Sequence, residues 1–404
     1  MTQILPFKAY RYTAKAGNLS DLVISQGDST RNKPGNSYSL EHLIKSPEPQ
    51  ALFEKWKENE IISQDPINNI YTFRQECIFE GKTVIKKGFI CKIELSLENT
   101  ATILEHEHVI EEGVRYHLNA LESSQLTIHP VMGMYSDDKF QLERFVEVSL
   151  QSPIASVTND TGGKDTFSAI SDIDTIAHFK GLIANKKIFL ADGHHRYHAA
   201  LKYANRAASP KSRVSTIMYL SNMEDANFHI FPYHRIYNGI ESFCEDRFIH
   251  FLQKYFEIEV LKESGLLPKK IKMTEFSLGL IFKSKAMLLT LKEAKKALLF
   301  KTLDMGRHQI NFSIIQNKLL LKGLKISSHT AAFQVEYEPS FRKCYKEVQA
   351  TRAQLAVISP GITSSQLKII AEKKIVLPEK TTFFYPKAVS GIVLNPISEN
   401  ADFL

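Results

Sequence analysis

The densest chemistry in the chain lies at Ala191-Asp192-Gly193-His194-His195-Arg196. Asp and Gly let a backbone turn sharply, and the amides that open a following helix form an anion site. His194, His195 and Arg196 add side-chain donors at that same spot. Arg grips a phosphate through two parallel hydrogen bonds, and His carries or delivers a proton near neutral pH. Three donors crowded on one helix start therefore read as a phosphate site, with Asp192 and Gly193 shaping the turn. The plain alternative is a surface helix start with incidental histidines.

A second cluster, Glu105-His106-Glu107-His108, follows a strand-like run and precedes Arg115, a further candidate anion ligand. It offers an acid/base group, with a solvated polar loop as the alternative. A metal reading is weaker. His194 and His198 are spaced to share one helical face, and His106 and His108 one face of an extended segment, but no HExxH or CxxC pattern supplies a full ligand set, so no metal site is assigned.

The elements that must position these groups follow from periodicity. Lys187–Ala191 (KIFLA) is a short apolar run, and HHRYHAALKYANRAA is rich in helix formers, which predicts a strand, a tight turn and a helix. Ile70–Leu95 alternates around Glu80-Gly81, predicting a hairpin with one face in the core. Leu52, Phe53 and Trp56 within Pro47–Glu60 sit at helical spacing. SVTNDTGGKD reads as a loop. STIMYLSNM and FHIFPYHRIY read as strands, and Ile240–Phe256 as a helix opening a second unit. In that unit FSLGLIF, AMLLTL and ALLFKTL read as strands, INFSIIQNKLLLKG as a helix, Leu355–Pro360 as a strand and Ser364–Lys373 as a helix. Pro378–Pro396 reads as an extended tail. The pattern is α+β, with domains at 1–238 and 239–404 and antiparallel pairing in the second.

The 404 residues carry 51 Lys+Arg against 44 Asp+Glu and 43% hydrophobic residues, a globular composition that excludes disorder, collagen and coiled coil. Each domain is long enough to close a core without cross-links. The four cysteines are isolated, which fits a reducing cytoplasm. No leader or membrane span is expected, since Lys8 and Arg11 interrupt the N-terminus and no window nears the roughly 20 apolar residues of a span. Between Lys262 and Lys325, 14 basic residues face 4 acidic ones, a local +10 within a net +7. Solvated lysines on strand faces explain this more simply than nucleic acid, so no nucleic-acid partner is expected. A homo-oligomer is left open.

FLADGHHRYHAAL, the early PFKAYRY, GFICKIEL at the hairpin end, the HEHV…R segment and the tail LPEKTTFFYPKAVSGIVL together resemble the bacterial and archaeal family of unknown function numbered ten-fifteen, over nearly the whole chain. The Asp-Gly-His-His-Arg turn is similar to that of the ParB/sulfiredoxin-like superfamily, and most of all to its free-serine kinases. This resemblance implies a ParB/sulfiredoxin-like N-terminal domain that binds ATP or ADP with Mg²⁺. It also implies phosphate contacts at Gly193, His194, His195 and Arg196, and an acid/base pair at Glu107 and His106. The implied activity is nucleotide-dependent phosphotransfer to or from a small hydroxyl metabolite, free serine or phosphoserine, which belongs to serine metabolism. The alternative is a non-catalytic nucleotide-binding or interaction protein. Lys380, Thr382 and Lys387 match the tail motif, whose aromatic residues Phe383, Phe384 and Tyr385 are expected to pack on the core. Two departures weigh on catalysis more than on binding. The family's Pro-Pro-Tyr-Asp corresponds to Ser25-Gln26-Gly27-Asp28, and the Arg and Thr after its His-Glu pair are His108 and Val109.

Overall fold

In the computed structural model, two long strands, β2 (Ile70–Phe79) and β3 (Lys82–Glu94), form a hairpin whose turn at Glu80-Gly81 has positive φ at both residues. This is the predicted hairpin, but both of its faces are largely buried, because it lies in the middle of a wide sheet. The structure describes residues 1–24, 36–206, 214–299, 318–327, 334–378 and 380–397. Ser25–Asp28, and with it Asp28, lies outside the described residues, as do much of ALLFKTL and the first part of INFSIIQNKLLLKG.

The other strands of this sheet are β1 (Ile4–Leu5), β4 (Ile103–Leu104), β5 (Val131–Tyr135), β6 (Ala155–Thr158), β7 (Lys164–Ile170), β8 (Ile188–Asp192) and β9 (Ser215–Asn222). Their order is β4-β8-β5-β9-β3-β2-β7-β6, with β1 added on β3. The pairs β4–β8 and β5–β9 are parallel and the rest antiparallel. SVTNDTGGKD is the tip of the β6–β7 hairpin together with its flanking strand ends. Helices α1 (Leu40–Lys45), α2 (Pro49–Glu58), α3 (Glu111–Ser124), α4 (Ile173–Ala184) and α5 (His194–Arg206) accompany the sheet. Ile176, Phe179 and Ile183, spaced by three and four on α4, enter one core with Phe89, Ile188, Leu190 and Tyr197. Burying each such side chain contributes roughly 1.5–3 kcal/mol. A second cluster gathers Trp56 and Phe53 of α2 with Leu40, Leu43 and Leu394.

The chain divides into two units, Met1–His229 with the tail from Phe384, and Ile230–Phe383. The tail was expected in the second domain. It returns instead because its backbone bonds to the first: Ser390 pairs with Ile24, Leu394 with Tyr10 and Asn395 with Thr127. The second unit holds a six-stranded antiparallel sheet of β10 (His234–Tyr237), β11 (Phe256–Leu261), β12 (Ser277–Ile281), β13 (Ala286–Leu291), β14 (Val335–Glu338) and β15 (Leu355–Ile358), in the order β11-β13-β12-β15-β10-β14. Both units thus mix helices with sheets. Two local expectations fail there. Glu293–Leu299 is a helix where a strand was expected to begin, and the helix read over Ile240–Phe256 is confined to Glu245–Leu252. Lysines of the basic stretch are partly neutralised at home: Lys270 pairs with Glu259, Lys285 with Glu245 and Lys296 with Glu293.

Candidate anion site at the Asp192–Arg196 turn

β8 ends at Asp192, Gly193 takes φ +89°, and α5 starts at His194, as the sequence predicts. Only glycine adopts that backbone without strain. A Cβ on Gly193 would also stand 2.8 Å from the Arg196 guanidinium, which curls back over the turn. Arg196 Nη1 donates to the Pro130 carbonyl at 2.8 Å and Nη2 to Asp192 Oδ2 at 3.0 Å. Arg196 therefore stays over the turn with its other N–H groups still available.

The tail supplies a group whose role the sequence left unassigned. Lys387 Nζ donates to Asp192 Oδ1 at 2.5 Å, so one carboxylate bridges two cations. Burial alone would raise the pKa of Asp192, but the charges of Lys387 and Arg196 outweigh it and hold the carboxyl well below the usual carboxylate range. Lys387 is itself fixed, because Gln75 Nε2 donates to its carbonyl at 2.9 Å. Next to it, buried Lys86 of β3 donates to the Pro386 carbonyl and lies 4.9 Å from the centre of the Tyr219 ring. Burial, reinforced by the charge of Lys387, pulls the Lys86 ammonium down to about 7. Of the tail aromatics, Phe384 and Tyr385 are buried, with Tyr385 4.8 Å from Phe79 between ring centres.

The Glu105–His108 segment folds to this turn although more than 80 residues separate the two in sequence. The buried His106 ring meets the buried His194 ring edge to face at 4.8 Å. Glu105 Oε2 lies 2.6 Å from His198 Nε2, and the Ile110 amide donates to His195 Nε2 at 3.1 Å. Accepting through Nε2 makes His195 an anchor for the start of α3. There Gly113 permits the contact, since a Cβ on it would lie 2.5 Å from His195 Cδ2. Burial lowers His106 to about 4, and burial, with the neighbouring His106 ring, holds His194 well below the ordinary histidine value, so both rings are neutral at pH 7. His194 Nε2 is buried without a hydrogen-bond partner, a cost of about 1–3 kcal/mol if nothing binds there.

Glu107 is half-buried beside His106. Arg115 is exposed on α3, and its charge acts on Glu111 of the same helix. Asp192 of the turn feels Lys387 and Arg196 instead. His198 is held by Glu105 rather than sharing a ligand set with His194. Among the described residues no group of three or more His, Cys, Asp or Glu is placed to hold a metal ion, and no helix is long and apolar enough to cross a membrane.

Beside the turn, a cavity of about 590 Å³ opens between α1, α3 and α5, with Arg196 in its wall. His117 and His129 also line it. Burial and the charge of Arg196 lower them to about 4 and about 3. Tail residue Ser390 holds His129, Oγ to Nδ1 at 2.6 Å. Periodicity singled out none of these three residues.

The chain belongs to DUF1015, a protein family of unknown function, whose model matches residues 4–306. No curated protein matches it. Among solved structures it is similar to a free serine kinase in complex with AMP, at 11% identity over 73% of this chain and 86% of that one, with a TM-score of 0.39. A conserved hypothetical protein from Pyrococcus furiosus matches at 12% identity over 74% and 94% of the two chains, with a TM-score of 0.38. SbnI with a C-terminal truncation, from Staphylococcus aureus, matches at 10% identity over 74% and 83%, with a TM-score of 0.37.

Proposed function

We propose that the chain is a nucleotide-dependent phosphotransferase acting on a small hydroxyl-bearing metabolite, with free serine or phosphoserine as the reference substrate. In this reading its first unit is of the ParB/sulfiredoxin-like type. The observation that carries the proposal is the convergence at one glycine turn of a helix start, the buried unpartnered His194 Nε2, Arg196 and Lys387. A phosphate placed there meets the first-turn amides, the helix dipole and two cations. ATP or ADP fits this donor set through Asp192–Arg196, with Asp192 orienting the cations rather than touching the anion. When bound, the nucleotide supplies or receives the phosphoryl group. Mg²⁺ does not fit as a resident ion. Asp192, the carboxylate of the turn, is already paired with Arg196 and Lys387. Glu107 is the base for the acceptor hydroxyl, and neutral His106 positions it by packing on His194.

Calorimetry with ADP tests the site. Arg196→Ala should lose roughly 1.5–3 kcal/mol of binding, the usual contribution of hydrogen bonds to a charged group. Glu107→Gln should leave affinity nearly unchanged and slow transfer to serine by roughly 10²–10⁴. Unaltered ADP affinity in a folded Arg196→Ala protein removes the phosphate assignment, and full transfer by Glu107→Gln removes the base. A second reading, nucleotide binding without catalysis, has its own support: both cations of the turn are already engaged by Asp192. Tight ADP binding with no transfer in the unmodified protein would select it.

A further inference from the structure

The cavity between α1, α3 and α5 is too large and too apolar for serine. At about 590 Å³ it lies in the range of pockets that enclose drug-sized ligands. Leu43, Pro49, Leu121, Leu126 and Ile128 supply much of its wall. Its polar wall is the edge of Arg196, the rings of His117 and His129, and short hydroxyl side chains such as Ser124 and Thr127.

The charge around this wall is countable. Arg196 and Lys387 contribute two positive charges and Asp192 one negative charge, leaving one positive charge in the bridged trio, while Lys86 beside Lys387 is pulled towards its neutral form and donates to the Pro386 carbonyl. The two histidines add none near pH 7, since burial and Arg196 keep them neutral. Each neutral ring still offers one donor and one acceptor nitrogen. Ser390 occupies Nδ1 of His129, which leaves Nε2 for a ligand. An occupant with one negative charge balances the trio, whereas an uncharged one leaves it unbalanced in a largely apolar recess.

We infer that this cavity binds a carboxylate monoanion whose remaining body is uncharged, largely apolar and bigger than serine. Its anionic end lies at Arg196 and His129, and its body lies against Leu121 and Ile128. The inference rests on reading Arg196 as an anion-binding group. It differs from the phosphotransfer proposal in the second molecule it brings to the site.

Titration calorimetry with phenylacetate, phenyl phosphate, phenylacetamide and ADP tests it, using the whole chain and the variant Ala120→Phe. Ala120 lines the cavity from an exposed position on α3, so the added ring fills space without entering the core. Phenylacetate should bind ten times or more tighter than uncharged phenylacetamide. Phenyl phosphate, mostly a dianion at pH 7, should bind no tighter than phenylacetate, and tighter binding would overturn the charge balance behind the inference. Ala120→Phe should weaken phenylacetate at least tenfold while ADP affinity stays within twofold. If ADP binds and phenylacetate does not, the inference fails and the nucleotide reading stands. If Ala120→Phe weakens ADP as much as the monoanion, the cavity belongs to the nucleotide and the inference is overturned. If nothing binds, both readings fall.

Discussion

Replacing Lys387 by Met removes one of the two cations on Asp192 while keeping the length of the side chain. Its hydrogen bond is charge-assisted, and such bonds contribute about 1.5–3 kcal/mol. The Lys387 side chain is 19% exposed and the Asp192 side chain 30%, so water screens the pair in part, and Arg196 remains to hold the carboxylate. A loss of about 2 kcal/mol is expected. The assay is urea unfolding followed by the fluorescence of Trp56, the single tryptophan, which is buried in the first unit and so reports on that unit alone. With a denaturant slope of about 3 kcal/mol per molar, the midpoint should fall by roughly 0.7 M. In the double-mutant cycle, Lys387→Met should cost about 1–2 kcal/mol less when Asp192 is already Asn. A midpoint within about 0.2 M of the unmodified protein, or losses that simply add, would refute the argument that Lys387 acts through Asp192.

Acid should destabilise the first unit through its buried histidines. Buried His106 titrates at about 4 in the fold against an ordinary 6.5, so the unfolded chain takes up the proton first. Stability is therefore complete above about pH 6.5 and falls towards pH 4, with about 2 kcal/mol lost at pH 5 from this one ring. His117 adds to the loss in the same direction. A Trp56 unfolding midpoint that stays flat between pH 7 and pH 5 contradicts it. Gly193→Ala should cost about 1–3 kcal/mol, because φ +89° is strained for alanine and its Cβ meets the guanidinium of Arg196. It should also weaken ADP binding, and calorimetry showing full affinity in this variant would disconnect the turn from the site.

The strand, turn and helix around Asp192-Gly193 were legible because local rules decide them: an apolar run, a turn pair and a stretch of helix formers. The hairpin over Ile70–Glu94 was legible through its alternation, although alternation suggested one buried face and the wide sheet buries both. The strand at Val131–Tyr135 and the helix at Ile173–Ala184, both central to the core, escaped notice. The first is too short and too uniformly apolar to show a period, and the second carries apolar residues around much of its circumference. Lys387, Ser390 and His129 could not be placed by any spacing rule. Their partners lie 195 and 261 residues away in sequence, and only the fold closes those gaps. The tail motif was visible as a pattern, but its chemistry depends on Asp192 at the far end of that separation.

The return of the tail also orders events during synthesis. The unit Ile230–Phe383 is one uninterrupted stretch, so all of its residues have been made before the segment Phe384–Asn395 appears. The first unit, although translated earlier, lacks Lys387 on Asp192 and Ser390 on His129 until that segment is added. Domains that fold as the ribosome delivers them usually finish from the N-terminal side. Here the inserted unit can finish first, while the earlier-made one waits with a half-neutralised carboxylate at its turn. Shortening the gene from its 3′ end would thus leave Asp192 and His129, encoded in its first half, without Lys387 and Ser390.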